Sequence, residues 1–287
     1  MKTPPDELSP IGRKVAGVIL ACMEQGVLDV PVLPEIAQRV LTLINEPDSD
    51  ATRLAKLIQS DQSLAANVMR IANSAAYTPN ASMISLQQAI ARLGMNMIGQ
   101  IALSATLNAR MFKAPVHETR IAEIWQLSLF SALWAKEISR MCRLNVETAF
   151  LCGLLSSIGR AVTLHMACDI AGKEGATLSA TDTALLEEHF HVDLGVRVME
   201  IWKLPAIVIE AIGYQDNYEH APRMANLARI TFGAVQFAIQ SLAAEELDKE
   251  TLSSLLVITE LNLYPEDMAQ LFSRREAVVG AMEAMSL

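Results

Sequence analysis

Asn145 to Met166 reads NVETAFLCGLLSSIGRAVTLHM, the most apolar helix-length stretch in the chain, with a pair of serines at its middle. Leu151, Leu154, Leu155 and Ile158 recur at i, i+3, i+4 and i+7, the helical period. Asn145 stands where it can cap the start, and Glu147 falls in the first turn, where the helix dipole favours negative charge. The stretch therefore predicts one central buried helix. Gly153 and Gly159 each cost roughly 1 kcal/mol relative to alanine in a helix interior, so another backbone or a ligand is expected to approach closely there. Taken alone, Ser156 and Ser157 read as core hydroxyls returned to the carbonyl four residues back.

Around this stretch lies a chain of 287 residues, 52% hydrophobic and 19% charged, without a Gly/Ser linker or low-complexity run, which predicts a globular protein with a sizeable core. No uninterrupted apolar run reaches the roughly 18 residues of a spanning helix. Ser156, Ser157 and Arg160 break the central stretch, and Glu210 breaks Leu204 to Gly213. The N-terminal MKTPPDEL lacks the apolar core of a signal peptide, so a soluble, cytoplasmic protein with no membrane partner is expected. Cys22, Cys142, Cys152 and Cys168 form no CxxC pair and read as reduced core thiols. A formal charge of −9 has the wrong sign for a phosphate-neutralising surface, and no basic cluster exceeds Arg274-Arg275, which argues against nucleic acid as a partner.

In chain order, Ile11 to Leu28 reads as a helix, and Pro34 opens a second that runs to Ile44. Ser49 or Asp50 caps ATRLAKLIQS, Asp61 begins DQSLAANVMRIANSAAY, a loop runs from Thr78 to Met83, Ser85 caps SLQQAIARLG, and Gly94 closes that helix. A further apolar helix spans Met95 to Met111. Beyond the central stretch, Asp169 to Ala180 reads as a loop. Ser179 with Asp182 resembles a capping box for a helix ending near His189. Pro205 opens another helix, Pro222 precedes one from Arg223 to Ala243, and two more are expected at about Leu252 to Leu261 and Pro265 to Met285. No period-2 run is long enough for a sheet.

The order LPEIAQRVLTLINEPDSDATRLAKLIQSDQSLAANVMRIANSAAY followed by ISLQQAIARLG closely resembles the HDOD domain, a helical relative of the HD-domain metal-dependent phosphohydrolases found in bacterial signalling proteins. The resemblance continues through IWQLSLFSALWAKEIS, AFLCGLLSSIGR and LGVRVMEIWKLP, covering roughly residues 30 to 240. It implies an all-α fold and marks where catalytic relatives hold metal. At those places stand Leu127, just before Ser128, the pair Ser156-Ser157 in place of His-Asp, Gln215-Asp216 in place of paired histidines, and Val235 in place of a later aspartate. His191 alone keeps a histidine at an expected place. A binuclear site needs imidazole and carboxylate ligands to hold its cations and acidify a bridging water; hydroxyls, leucine and valine cannot do this. No catalytic residue, metal or cofactor is therefore expected.

Other residues do not rebuild a site. His189 and His191, two apart on a helix, point in different directions. His165 and Asp169 could share a helical face but are too few as ligands and read as a surface pair. His117 and His220 fall in expected loops. The glycine spacing of GLLSSIG is that of a serine-nucleophile elbow, yet the strand-turn-helix context is missing.

The expected architecture is all-α: an N-terminal helical layer, roughly Ile11 to Met111, packed on an HD-like bundle centred on Asn145 to Met166. Its segments are an N-terminal helix (1–29), the N-terminal helical part of the HDOD domain (30–112), the HD-like bundle (113–245) and C-terminal helices (246–287). The leading functional reading, implied by the resemblance, is a non-catalytic regulatory module of bacterial signal transduction with a signalling protein as partner. The alternatives are a metal-dependent phosphohydrolase using other ligands, and a sensor for a small molecule held in the vestigial metal cleft. Asp61, Arg70, Asn73 and Ser74 are the candidate interaction residues. Capping and interhelical hydrogen bonds are the simpler account of the same residues. A count of 14 methionines suits an adaptable surface, although most read as core filler.

Overall fold

Side-chain caps set the helix starts. Ser9 accepts from the Gly12 amide ahead of α1 (Pro10–Gln25), which ends at Gly26 with φ 68°. Pro34 opens α2 (Glu35–Asn45). Asp50 accepts from Arg53 N at α3 (Ala51–Gln59), Asp61 from Leu64 N at α4 (Gln62–Ala72), and Ser85 from Gln88 N at α5 (Leu86–Leu93). Gly94 leads into α6 (Met95–Met111). The structure is a computed structural model that describes residues 5–28, 30, 32–46, 50–78, 83–111, 118–244 and 246–286. It is 78% helical, and no strand occurs among the described residues. Part of the expected loop after Thr78, residues 79–82, and His117 lie outside the described residues.

The bundle is built from α7 (Glu118–Met141), α8 (Val146–Leu155), α9 (Ile158–Lys173), α10 (Ala180–Ile201), α11 (Ala206–Gly213), a 3-10 helix (Gln215–His220) and α12 (Ala225–Ala243). Along its length α7 packs on α8 and α12, while α9 packs on α10. Trp134 of α7 is fully buried, lies 4.8 Å from the Phe237 ring of α12 and donates to Ser241 Oγ at 2.9 Å. In the N-terminal layer α6 is the spine: α2, α4 and α5 pack against it, and it meets α8 of the bundle. Four short helices follow, α13 (Lys249–Ser254), α14 (Leu256–Glu260), α15 (Pro265–Ser273) and α16 (Arg275–Ser286).

Six expectations need correction. The central stretch is two helices, because the chain turns at Ser156-Ser157 between α8 and α9. Its apolar character is also greater than the interrupting polar residues suggest. Val146 to Lys173 is long and apolar enough to cross a membrane by length and composition, with 89% of the apolar window buried inside the fold. The expected loop after Asp169 is partly helical, since α9 runs to Lys173, and α10 continues past His189 to Ile201. Residues 249–286 hold four helices where two were expected. Finally, α1 packs on α9 and α10 of the bundle and is no part of the N-terminal layer.

The α1 docking rests on one carboxylate. Asp182, 2% exposed, accepts from Ser9 N at 2.8 Å and Ser9 Oγ at 2.9 Å, and from Ser179 Oγ at 2.8 Å. Burial pushes the Asp182 pKa up, but the hydrogen bonds from Ser9 and Ser179 together outweigh it and hold the carboxyl below the usual aspartate value. Stability from this group is therefore complete above the unfolded value and lost as pH falls through the lower folded one. Asp182→Ala should cost about 3 kcal/mol in urea unfolding near neutral pH, with the difference from the native protein shrinking in acid. It should also expose α1 to proteolysis first.

Candidate functional site

Between α8 and α9 the pattern G-L-L-S-S-I-G makes two close helix crossings with a turn between them. A Cβ on Gly153 would lie 2.4 Å from Ser131 O and 2.6 Å from Ala132 Cα, so α8 presses on the α7 backbone there. A Cβ on Gly159 would lie 1.7 Å from His191 O and 2.8 Å from Gly195 N, so α9 rests directly on the backbone of α10. Both glycines are where the sequence predicts close approach, and in both cases another backbone makes it. The serine pair is held at the turn, with Ser156 3% and Ser157 2% exposed.

The structure gathers at this turn most of the positions that the family resemblance singles out. Ser156 Oγ donates to Gly153 O at 2.8 Å, three residues back where the sequence suggests four, and the Ser156 carbonyl accepts from Gln215 Nε2 at 3.3 Å. His191 is 4% exposed, with Nε2 3.4 Å from Asp216 Oδ2 and 4.0 Å from Glu188 Oε1. Its Nδ1 and the Gln215 Oε1 are buried without a hydrogen-bond partner among the described residues. Glu188 in turn accepts from Arg160 Nη2 at 2.9 Å. Leu127 and Arg160 line a cavity of about 450 Å³ together with Arg120, Ile124, Ile239 and Leu242. Val235, half-buried, lies one helical turn before Ile239 on α12.

Sequence reasoning missed the charged residues around His191. Glu188 stands three positions before His191, the spacing at which helical side chains meet, and Arg160 directly follows the second glycine. The same region contains a fully buried carboxylate, Glu187, held bidentately by Arg120 Nε at 3.1 Å and Nη2 at 2.6 Å. That contact raises the Arg120 pKa further above its already high value. The other histidines lie apart from the site. His189 packs edge-on against Phe190, His165 is exposed, and His220 Nδ1 lies 2.8 Å from Asn217 Oδ1. Asp169 pairs with Lys173 at 2.6 Å.

The candidate interaction residues are elsewhere, on α4 and just after it. Asp61 is the α4 cap. Exposed Arg70 reaches Ala284 O at 3.2 Å and so ties α4 to α16. Asn73 clips the chain at Met83 from both sides, accepting from Met83 N at 2.6 Å and donating to Met83 O at 3.0 Å. The Ser74 hydroxyl is buried without a partner among the described residues.

Residues 30–218 match the HDOD domain family, well over half of the chain. The chain belongs to the HDOD family. An uncharacterized protein of Treponema pallidum (strain Nichols) is 22% identical over 237 residues, which is 79% of this chain and 45% of that protein. The chain thus spans less than half the length of that relative. Among solved structures, a Shewanella amazonensis SB2B protein provisionally named a metal-dependent phosphohydrolase is 20% identical, with a TM-score of 0.72 over 97% of this chain and 99% of that one. An HDOD domain protein of unknown function from Geobacter sulfurreducens is also 20% identical, with a TM-score of 0.70 over 95% and 96%. At this identity the likeness establishes the shared HD-like helical fold.

The residues at the turn do not fit a binuclear metal. Ser156 spends its proton on the Gly153 carbonyl, the Gln215 amide is neutral, and Leu127 and Val235 carry no donor. Among the described residues no group of three or more His, Cys, Asp or Glu side chains is arranged to hold a metal ion. In this chain the helix crossing is made at the expense of Cβ atoms, and that is testable. Gly159→Ala should destabilise by about 3 kcal/mol or more by driving α9 off α10. Gly195→Ala, whose Cβ would meet its nearest neighbour at an ordinary 3.6 Å, should be neutral or stabilise by up to about 1 kcal/mol.

Proposed function

We propose that this HDOD protein is a non-catalytic regulatory module of bacterial signal transduction, acting by binding a signalling protein. The observation that carries the reading is the serine pair. Where catalytic HD proteins hold metal with His-Asp, this chain has two buried hydroxyls, one of them returned to the backbone of its own helix. An HD-like scaffold whose turn is retained without its ligands has lost the chemistry that activates water. The surrounding charges support this: Arg160 and Glu188 pair with each other, and Arg120 with Glu187. The purified protein should retain no stoichiometric iron, manganese or zinc through dialysis and should leave a generic phosphodiester uncleaved. Metal retention together with cleavage overturns the proposal. Ser156→His with Ser157→Asp should not restore activity and should cost several kcal/mol, since it buries a charge without its partners.

The contact surface in this reading is the α4 edge. Asp61 and Asn73 hold local backbone, so their removal would disturb the fold as well as any partner. Arg70 is exposed but also bonds the Ala284 carbonyl of α16, so its variant is read together with its unfolding temperature. Arg70→Ala should weaken a partner recovered from the native cell by about tenfold or more, while Ser156→Ala keeps it. The opposite pattern moves the working surface to the cleft beside the serine pair.

A further inference from the structure

The helical pair α2 and α3 carries a basic groove on an acidic protein. Between the two helices lies a cavity of about 400 Å³ lined by the exposed cations Arg39, Arg53 and Lys56 and by one carboxylate, Glu46. The chain as a whole has a formal charge of −9, so a space bordered by three cations runs against its average. The floor is apolar, made by the buried side chains of Leu43 and Leu57.

These cations are only partly matched within the chain. Arg53 Nη1 donates to Glu46 Oε2 at 2.9 Å. Arg39 Nη1 stands 3.9 Å from Glu35 Oε1, beyond hydrogen-bond reach. Lys56 makes no ion pair among the described residues. Asp50 turns its carboxylate to the Arg53 amide as the α3 cap and lies outside the lining.

The remaining polar groups of the groove want the opposite partner. Thr42 Oγ1 donates its proton to Gln38 O at 3.0 Å, and Ser60 Oγ donates to Leu57 O at 2.6 Å. Each hydroxyl oxygen therefore faces a ligand as an acceptor, and the Glu46 carboxylate accepts as well. A matching molecule brings a multiply charged anion for the cations and O–H donors for the acceptors. We propose that the groove binds a phosphorylated sugar or polyol, its phosphate received by Arg39, Arg53 and Lys56 and its hydroxyls donating to Thr42, Ser60 and Glu46.

Size and charge favour that class. The cavity lies within the roughly 300–1,000 Å³ of small-molecule sites, and Leu43 and Leu57 offer a surface for the C–H face of a sugar. An acidic peptide would supply charge without hydroxyl donors, and a long polyanion would meet the negative remainder of the protein. Arg39 and Arg53 are 59% and 51% exposed at their side chains, so affinity should fall as salt rises.

The inference is independent of the regulatory reading, because none of these residues belongs to α4 or to the serine turn, and either can fail alone. The test is calorimetry and thermal unfolding of the full-length protein with glycerol 3-phosphate, ribose 5-phosphate and glucose 6-phosphate, with ribose and inorganic phosphate as controls. At least one ester should bind saturably and raise the unfolding temperature, about tenfold or more tighter than inorganic phosphate, while ribose has no effect. Arg39→Gln and Lys56→Gln, both at exposed positions, should each weaken that ester by about fivefold or more, and Lys14→Gln on α1 should leave it unchanged. Glu46→Gln should narrow the preference for the ester over inorganic phosphate, since it weakens an acceptor that only the sugar uses. Inorganic phosphate binding as tightly as the esters would mark an adventitious ion only and overturn the inference. So would the absence of saturable binding by all three esters, or undiminished binding by both Arg39→Gln and Lys56→Gln.

Discussion

Everything near the site depends on two backbones touching where α9 crosses α10. At Gly159 the His191 carbonyl occupies the place of a side chain, and no residue with a Cβ can stand there without parting the helices. That contact fixes the depth of α9 in the bundle and sets the His191 backbone against Gly159. Gly153 does the same for α8 on α7. The turn between them is thereby clamped from both sides, with the serine pair at its apex. Close packing of this kind has few alternative arrangements, so the shape of the turn is set by backbone contacts and not by the side chains at its apex.

Shape and chemistry are therefore separable in this chain, and they were unequally legible in the sequence. Helix starts could be read residue by residue, because a cap is a local interaction: Asp50, Asp61, Ser85, Asn145 and Ser179 all bond an amide three residues on. The break at Ser156 was hidden by the same locality. Apolar periodicity runs straight through it, and the phase hardly shifts when two short helices follow each other across a tight turn. The place of α1 was out of reach for a different reason. Its anchor, Asp182, lies 173 residues from Ser9, and nothing in either neighbourhood names the other.

For the site, the family resemblance located Ser156, Ser157, Gln215, Asp216 and His191, and the structure brings these into one neighbourhood. What the sequence could not supply was orientation. Gln215 sends its amide to the Ser156 carbonyl, closing the turn with a hydrogen bond between positions 59 apart. The roles of Glu188 and Arg160 likewise emerge only once α9 and α10 are side by side.

Two buried charges show how differently the fold treats such groups. Glu187 is enclosed completely and is met by both arms of the Arg120 guanidinium, so its desolvation is offset by a bidentate partner. Lys136 is enclosed almost as fully and meets an amide, a thioether and a ring face. The first arrangement locks α7 to α10 and is complete within the chain. The second sits at the seam where α6 and α8 meet and has, among the described residues, one amide oxygen as its strong acceptor, so its desolvation is offset far less.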